Sequence, residues 1–257
     1  DKKRMAFMNK NAESRARRLF AGVNSSLSRT DPEFVEIISN FSQDETANAN
    51  ILTEKERMLC ILAALLGCQG MGEFQNMLHA ALNIGVDPVA IKETIYQATA
   101  YLGIGRTCDF LIAANGIMEQ HGVRLPLAPQ ASTNEEARFE RGLAKQVELF
   151  GPDMAKRQTD GPALRRNINR WLADNCFGDY YTRNGLNGQE REMITFCFFL
   201  AQGGCENQLR GHTAGNFGVG NGKEKLYSVV EQCMPYIGYP RSLNAMSIID
   251  EIAAKEK

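Results

Sequence analysis

The stretch Thr53-Glu-Lys-Glu-Arg57-Met-Leu-Cys60-Ile-Leu-Ala-Ala-Leu-Leu-Gly-Cys68 decides the fold class. By periodicity alone its apolar run Met58–Leu66 would also suit a buried strand. Three features select a helix instead: Ala and Leu dominate the run, it continues to Cys68, and Thr53 stands three residues before Glu56 in capping-box spacing. Asn187 and Glu190 repeat that spacing ahead of the apolar run Met193–Ala201, and Thr133 with Glu136 does so again. Asp87-Pro88 and Thr30-Asp31-Pro32-Glu33 each place a capping side chain before a proline, whose missing N–H costs nothing in a first helical turn. No comparable signal marks a strand, so the sequence predicts an all-α fold.

The chain has 257 residues, 29 Lys and Arg against 30 Asp and Glu, and a formal net charge of −1. That balance offers no general field for nucleic acid or anionic lipid, so neither is an expected partner. A membrane-spanning helix needs roughly 18 to 20 apolar residues, and the longest runs have half that. Seven cysteines, odd in number and set mostly in apolar stretches without any Cys-x-x-Cys, predict reduced thiols and a cytoplasmic protein. The chain begins at Asp1 without an initiating Met, which leaves room for a removed leader. Asp1–Phe20 carries seven basic and two acidic residues, predicted to form a solvated helix face.

At this length the chain suffices for one large core or two smaller ones, and internal self-similarity selects the latter. Leu52 and Arg57 return as Leu186 and Arg191 at an offset of 134. Gly85, Gln97, Tyr101, Gly103 and Arg106 return as Gly220, Gln232, Tyr236, Gly238 and Arg241 at an offset of 135. One inserted residue at Gly203-Gly204 accounts for the change. The expected organisation is a first, divergent repeat over 1–122, a linker over 123–133 containing Pro126 and Pro129, and a second repeat over 134–257. The two form one helical bundle. Gly105 stands where the second repeat has Pro240, which predicts a looser turn in the first.

Leu186…Arg191, a buried helix, a Glu/His segment, Gly220 and Tyr236-Ile-Gly-Tyr-Pro-Arg-Ser-Leu-Asn-Ala-Met246 together resemble the carboxymuconolactone decarboxylase family. Phe177-Gly-Asp-Tyr-Tyr-Thr-Arg183-Asn-Gly-Leu186 extends the likeness in the second repeat; Leu52–Arg57, Ala80–Gly85 and Tyr101–Gly103 carry it in the first. The resemblance implies an all-α fold and ring-like hexamers of single units, hence a homo-oligomer, a trimer of two-repeat chains. It also implies one of two chemistries. Decarboxylase members are similar in carrying a Glu four residues before a His and no redox cysteine pair. Alkylhydroperoxidase D-like members carry Cys-x-x-Cys-x-x-x-His in the same place and reduce peroxides with thiols.

Counted back from Gly220, His212 takes the family His position, Gln208 that of the decarboxylase Glu or second peroxidase Cys, and Cys205 that of the first Cys. Helical spacing would put these three on one stripe. In the first repeat Glu73 holds the Glu position, twelve residues before Gly85, while Met77 replaces His and His79 is displaced by two. Neither repeat retains the full pair, although Glu73 and His212 would rebuild it if they met. Cys205 is either a packing residue or a reactive thiol; Cys197, eight residues earlier, is its candidate resolving partner. His79 suits a structural or surface role, and His121 an exposed one. Arg191 and Arg57 stand before their apolar helices either to pair with a buried carboxylate or to meet an anionic substrate, since the guanidinium fork serves both. Arg183 and Arg241 are further substrate-binding candidates. The six aromatics within Phe177–Phe199 read as core or interface.

No Walker loop, nucleophile elbow or dinucleotide fingerprint occurs, and the three scattered His give no tetrahedral metal set. No cofactor is implied. The favoured activity is a decarboxylase-like lyase on a small anionic substrate, a carboxylated lactone or related acid. Here His212 is the general acid, Gln208 an orienting group, and Arg191 and Arg183 hold oxygens. The alternatives are a thiol-dependent peroxidase centred on Cys205 and a non-catalytic duplicated scaffold.

Overall fold

The computed structural model describes residues 8–255 apart from 24 and 161, so the expectation for Lys2, Lys3 and Arg4 lies outside the described residues. Among the described residues there is no strand. The first half runs through α1 (Lys10–Leu19), α2 (Leu27–Thr30), α3 (Pro32–Asn40), a π-helical turn at Phe41–Glu45, α4 (Thr46–Asn48), α5 (Glu54–Cys68), α6 (Met71–Asn83), α7 (Pro88–Leu102) and α8 (Ile104–Gln120). After a stretch without helix over 121–137, the second half runs through α9 (Arg138–Phe150), α10 (Asp153–Lys156), a 3-10 turn at Ala163–Arg165, α11 (Arg166–Trp171) and a π-helical segment at Leu172–Tyr181. It closes with α12 (Gly188–Gln202), α13 (Glu206–Gly218), α14 (Lys223–Ile237) and α15 (Tyr239–Ala253).

The helix boundaries repeat. α5 and α12 start and stop 134 residues apart; α6 and α13, and α7 and α14, do so 135 apart. Gln69 and Gly203, the residues that end α5 and α12, both have positive φ, and Gly204 is the extra residue before α13. Capping boxes at Thr53/Glu56 and Asn187/Glu190 are both closed, and Asp87 caps α7.

Three local expectations differ. Thr133 closes no box: Asn134 accepts from the Ala137 N–H and α9 begins only at Arg138. Asp31 does not cap α3, because its carboxylate is taken by the neighbouring Thr30 hydroxyl. The Gly105 turn is no looser than its counterpart, since Gly103 and Gly238 both sit at φ 81 and both precede a helix directly. The positive φ that only glycine adopts without strain is kept in both halves, and the proline is dispensable.

α5 and α12 pack along each other at the centre, buried on all sides, which is why neither carries a polar face. α7 and α14 lie against them, with α6, α8, α13 and α15 outside. α9 presses on the π-helical segment closely enough that a Cβ on Gly142 would fall 1.9 Å from the Ala173 carbonyl. Of the six aromatics within Phe177–Phe199, all but Tyr180 are buried in the core. The basic residues of α1 stay at the surface, Arg17 and Arg18 paired with Glu13 and Glu54.

The halves are bound by an exchange of polar side chains. Arg191 donates to the Gln97 amide oxygen at 2.6 Å, and Arg57 to that of Gln232 at 2.7 Å. Each arginine thus uses the glutamine of the opposite half. Only Arg191 also meets a carboxylate: Nη2 lies 3.2 Å from Glu93, which Arg183 holds in addition at 2.9 to 3.0 Å. Arg57 instead bonds the Ser42 carbonyl and Gln43. Ser228 stands where the repeat offset would place a second Glu93.

Removing one partner of a buried charged pair strands the other. Arg191→Ala should therefore lower unfolding free energy by about 3–5 kcal/mol in urea titrations. Arg18→Ala, at an exposed pair, should cost less than about 1 kcal/mol.

Candidate functional site

His212 sits two turns into α13, its side chain 12% exposed, with Nδ1 2.9 Å from Glu192 Oε2. Glu192 follows Arg191 on α12 and is fully buried. Its other oxygen accepts from the Tyr181 hydroxyl at 2.7 Å. The pair fits because position 215 is glycine: a Cβ there would lie 2.6 Å from Glu192 Oε2. With Nδ1 held by the carboxylate, Nε2 is the ring nitrogen left for exchange. Among the described residues Nε2 has no polar partner.

The rings of Tyr101, Phe150 and Phe199 surround the imidazole at centroid distances of 5.7, 5.3 and 5.1 Å. Tyr101 belongs to α7, so the site draws on both halves. Burial pushes the Tyr101 and Tyr181 phenols well up, and the Cys176 thiol, bonded to Tyr101, to about 12. All three stay protonated at neutral pH.

A continuous polar chain leads away from the histidine. Tyr181 also meets Thr195 at 2.9 Å, Thr195 accepts from Gln97 at 2.7 Å, and Gln97 meets Arg191 and through it Glu93 and Arg183. Tyr181 and Arg183 line a cavity of about 370 Å³ with Arg141 and Lys145 at its wall and Glu148 as the acid among them.

The predicted site residues fare differently. Gln208 lies one turn before His212 but is exposed. Cys205 is the N-cap of α13, its backbone outside the helical range at φ −136 and ψ 39, and its thiol is turned back to the Phe199 carbonyl at 3.5 Å. Burial raises its pKa. Cys197 faces Cys233 at 3.9 Å, inside the core. Arg191 is buried, its Nη atoms spent on Gln97, Glu93 and the Arg183 and Asn184 carbonyls. Arg183 clamps Glu93 while lying over the Tyr96 ring. Arg241 packs across Gly203. Glu73 is exposed, accepts from Asn76 at 3.0 Å, and lines a different cavity that shares no residue with the surroundings of His212. His79 and His121 pair with each other at 2.9 Å.

Sequence reasoning missed Glu192 as the histidine's partner, with Tyr181 behind it. A signal existed: the repeat aligns Arg191-Glu192 with Arg57-Met58, so an acid has entered an otherwise apolar helix at one turn's depth. In the first half Met58 and Met77 replace Glu192 and His212, and Tyr236, the counterpart of Tyr101, donates to the Met77 sulfur at 3.5 Å. Among the described residues no group of three His, Cys, Asp or Glu could hold a metal, and no helix is long and apolar enough to cross a membrane.

The sequence profile of the Carboxymuconolactone decarboxylase family matches residues 32–115 and 167–251, one segment in each half. A 4-carboxymuconolactone decarboxylase of Acinetobacter baylyi is 28% identical over 120 residues, 46% of this chain and 89% of its own. A crystal structure from Burkholderia xenovorans LB400, described as a gamma-carboxymuconolactone decarboxylase subunit, superposes with a TM-score of 0.56 at 17% identity, over 96% of this chain and 97% of its own; it supports the fold.

Because the thiolate is the reactive form, Cys205 in the native protein should alkylate at least about tenfold more slowly at pH 7 than exposed Cys108. Its rate should still be climbing with pH above the range of an ordinary thiol. Cys60, Cys176, Cys197 and Cys233 should label only on unfolding, as read by mass spectrometry of iodoacetamide adducts.

Proposed function

The chain belongs to the carboxymuconolactone decarboxylase family, and from that premise we propose a decarboxylating lyase of small carboxylated lactones or related acids, with His212 as general acid. The observation that carries this reading is the His212–Glu192 pair, enclosed by rings and joined through Tyr181 to a cation-bearing cavity. When the carboxylate leaves as CO2, the electron pair of the broken C–C bond passes into the conjugated lactone as an enolate. One proton must then reach carbon. His212 Nε2–H delivers it, while Glu192 on Nδ1 stabilises the imidazolium form that can donate. Ring walls keep water away and strengthen that pairing.

Arg141, which has no carboxylate partner among the described residues, suits a substrate anion, while Lys145 and Arg183 beside it are paired with Glu148 and Glu93. Arg191, committed to Glu93 and Gln97, acts in this reading as a positioning residue that fixes the start of α12. Gln208, on the outside, has no part in it. A peroxidase reading is less well supported, since the Cys205 thiol is raised by burial and its candidate resolving partner Cys197 faces Cys233. A scaffold role suits the first half alone, where both chemical residues are methionine. The family also supports a trimer of two-unit chains, an expectation that light scattering checks directly.

The test is CO2 release from a panel of unsaturated lactone acids. His212→Ala and Glu192→Gln should each lower kcat by about 10² or more. Tyr181→Phe should lower it less, and Cys205→Ser should leave it near the parent value. Unchanged turnover in His212→Ala would remove the proposed acid.

A further inference from the structure

The first half contains a chamber that the decarboxylation reading leaves unused. The Phe41–Glu45 turn matches the Leu172–Tyr181 segment at the offset of 134, so Gln43 stands where the second half has Phe177, and Ala47 where it has Tyr181. Phe177 and Tyr181, whose rings pack on each other and, through Phe177, on Phe150 behind the histidine, therefore have no aromatic counterpart in the first half. In this half lies a cavity of about 460 Å³, walled by α1, α2 and α3 and floored by Leu65, Pro235 and Tyr236. That volume lies within the roughly 300–1,000 Å³ range of small-molecule sites. Phe20, Val35 and Ile38 give it an apolar wall, and Ser42, Gln43 and Tyr236 supply hydrogen-bonding groups at one end.

Charge narrows the occupant. Among the described residues Glu73 is the one charged side chain in the lining. Arg57 lies one layer behind, bonded to Ser42 and Gln43, buried and without a carboxylate partner. Both fields reach the Tyr236 hydroxyl, since Glu73 raises its pKa and Arg57 lowers it, while burial holds it near 12. No cation lines the cavity among the described residues, so a carboxylate ligand has only Glu73 to meet, and an ammonium would give up its hydration for an acid that is itself exposed to water.

We propose that this cavity is a second, non-catalytic binding site for an uncharged apolar small molecule carrying one hydrogen-bonding group, seated against Gln43, which stands where the other half has Phe177.

Calorimetric titration of the full-length protein with 1-naphthalenemethanol, 1-naphthoic acid and 1-naphthylmethylamine tests it. The alcohol should bind most tightly, and the acid and amine each at least about tenfold more weakly, because the acid meets Glu73 with no cation in the lining and the amine must surrender its hydration in an apolar chamber whose one carboxylate stays in water. Glu73→Gln should recover binding of the acid and not of the amine. Ala16→Phe, which narrows the cavity wall, should abolish alcohol binding. In protein with 13C-labelled methionine methyls, the alcohol should shift Met8, at the cavity, and leave Met193, on α12, in place. No binding of the alcohol, equal or tighter binding of the acid, or an unmoved Met8 signal would each overturn the proposal.

Discussion

The guanidinium of Arg191 in the seam between the halves is the constraint on which the rest of the molecule depends. A charge so deeply buried is tolerable only if its surroundings are fixed, and those surroundings are Glu93 and Gln97 from the other half together with the carbonyls of Arg183 and Asn184. Satisfying it sets where α7 lies against α12 and how the chain enters α12. Burial works against the charge, and the Glu93 carboxylate counters that. Glu192 and Tyr181 flank this anchor in sequence, and the geometry around His212 inherits its precision.

Duplication has yielded one backbone used twice with opposite polarity. Helix lengths, the glycine turns at Gly85 and Gly220, and the Arg–Gln exchange are common to both copies. What differs is a handful of side chains at equivalent depths. Glu192, His212, Phe177 and Tyr181 make a filled, polar cluster; the matching positions of the first half hold Met58, Met77, Gln43 and Ala47, and an open, largely apolar cavity lies against Gln43.

Much of this was legible beforehand. The cap at Thr53, the unbroken apolar run behind it and the repeat offset establish an all-α duplicated chain, since caps and periodicity are local and the offset is counted. Contacts across 90 or more residues were not legible. Nothing near Arg191 in sequence reveals whether Glu93 or a substrate answers it, so its two readings stayed equal. The spacing of Cys205, Gln208 and His212 gives one stripe only if all three are helical, and Cys205, as the N-cap of α13, leaves the helical range and turns its thiol to the Phe199 carbonyl. Glu192 sits beside the apolar run and outside the Glu/His motif, and only its repeat partner Met58 marks it as a change.

The Arg–Gln exchange has a consequence for the chain's permanence as a fusion. Each half holds the glutamine that the other half's arginine needs, so the seam is reciprocal, but its acid is not: Glu93 belongs to the first half and the Arg183 that clamps it to the second. Two copies of the second half facing each other would bury two guanidinium groups with a serine where each needs a carboxylate. Two copies of the first would set an Arg57 against each Glu93 but without the Arg183 clamp. Only the mixed pairing gives Glu93 both of its arginines while leaving Arg57 to neutral partners, so the two faces are matched to each other rather than to themselves, and covalent linkage guarantees that the two are always made together.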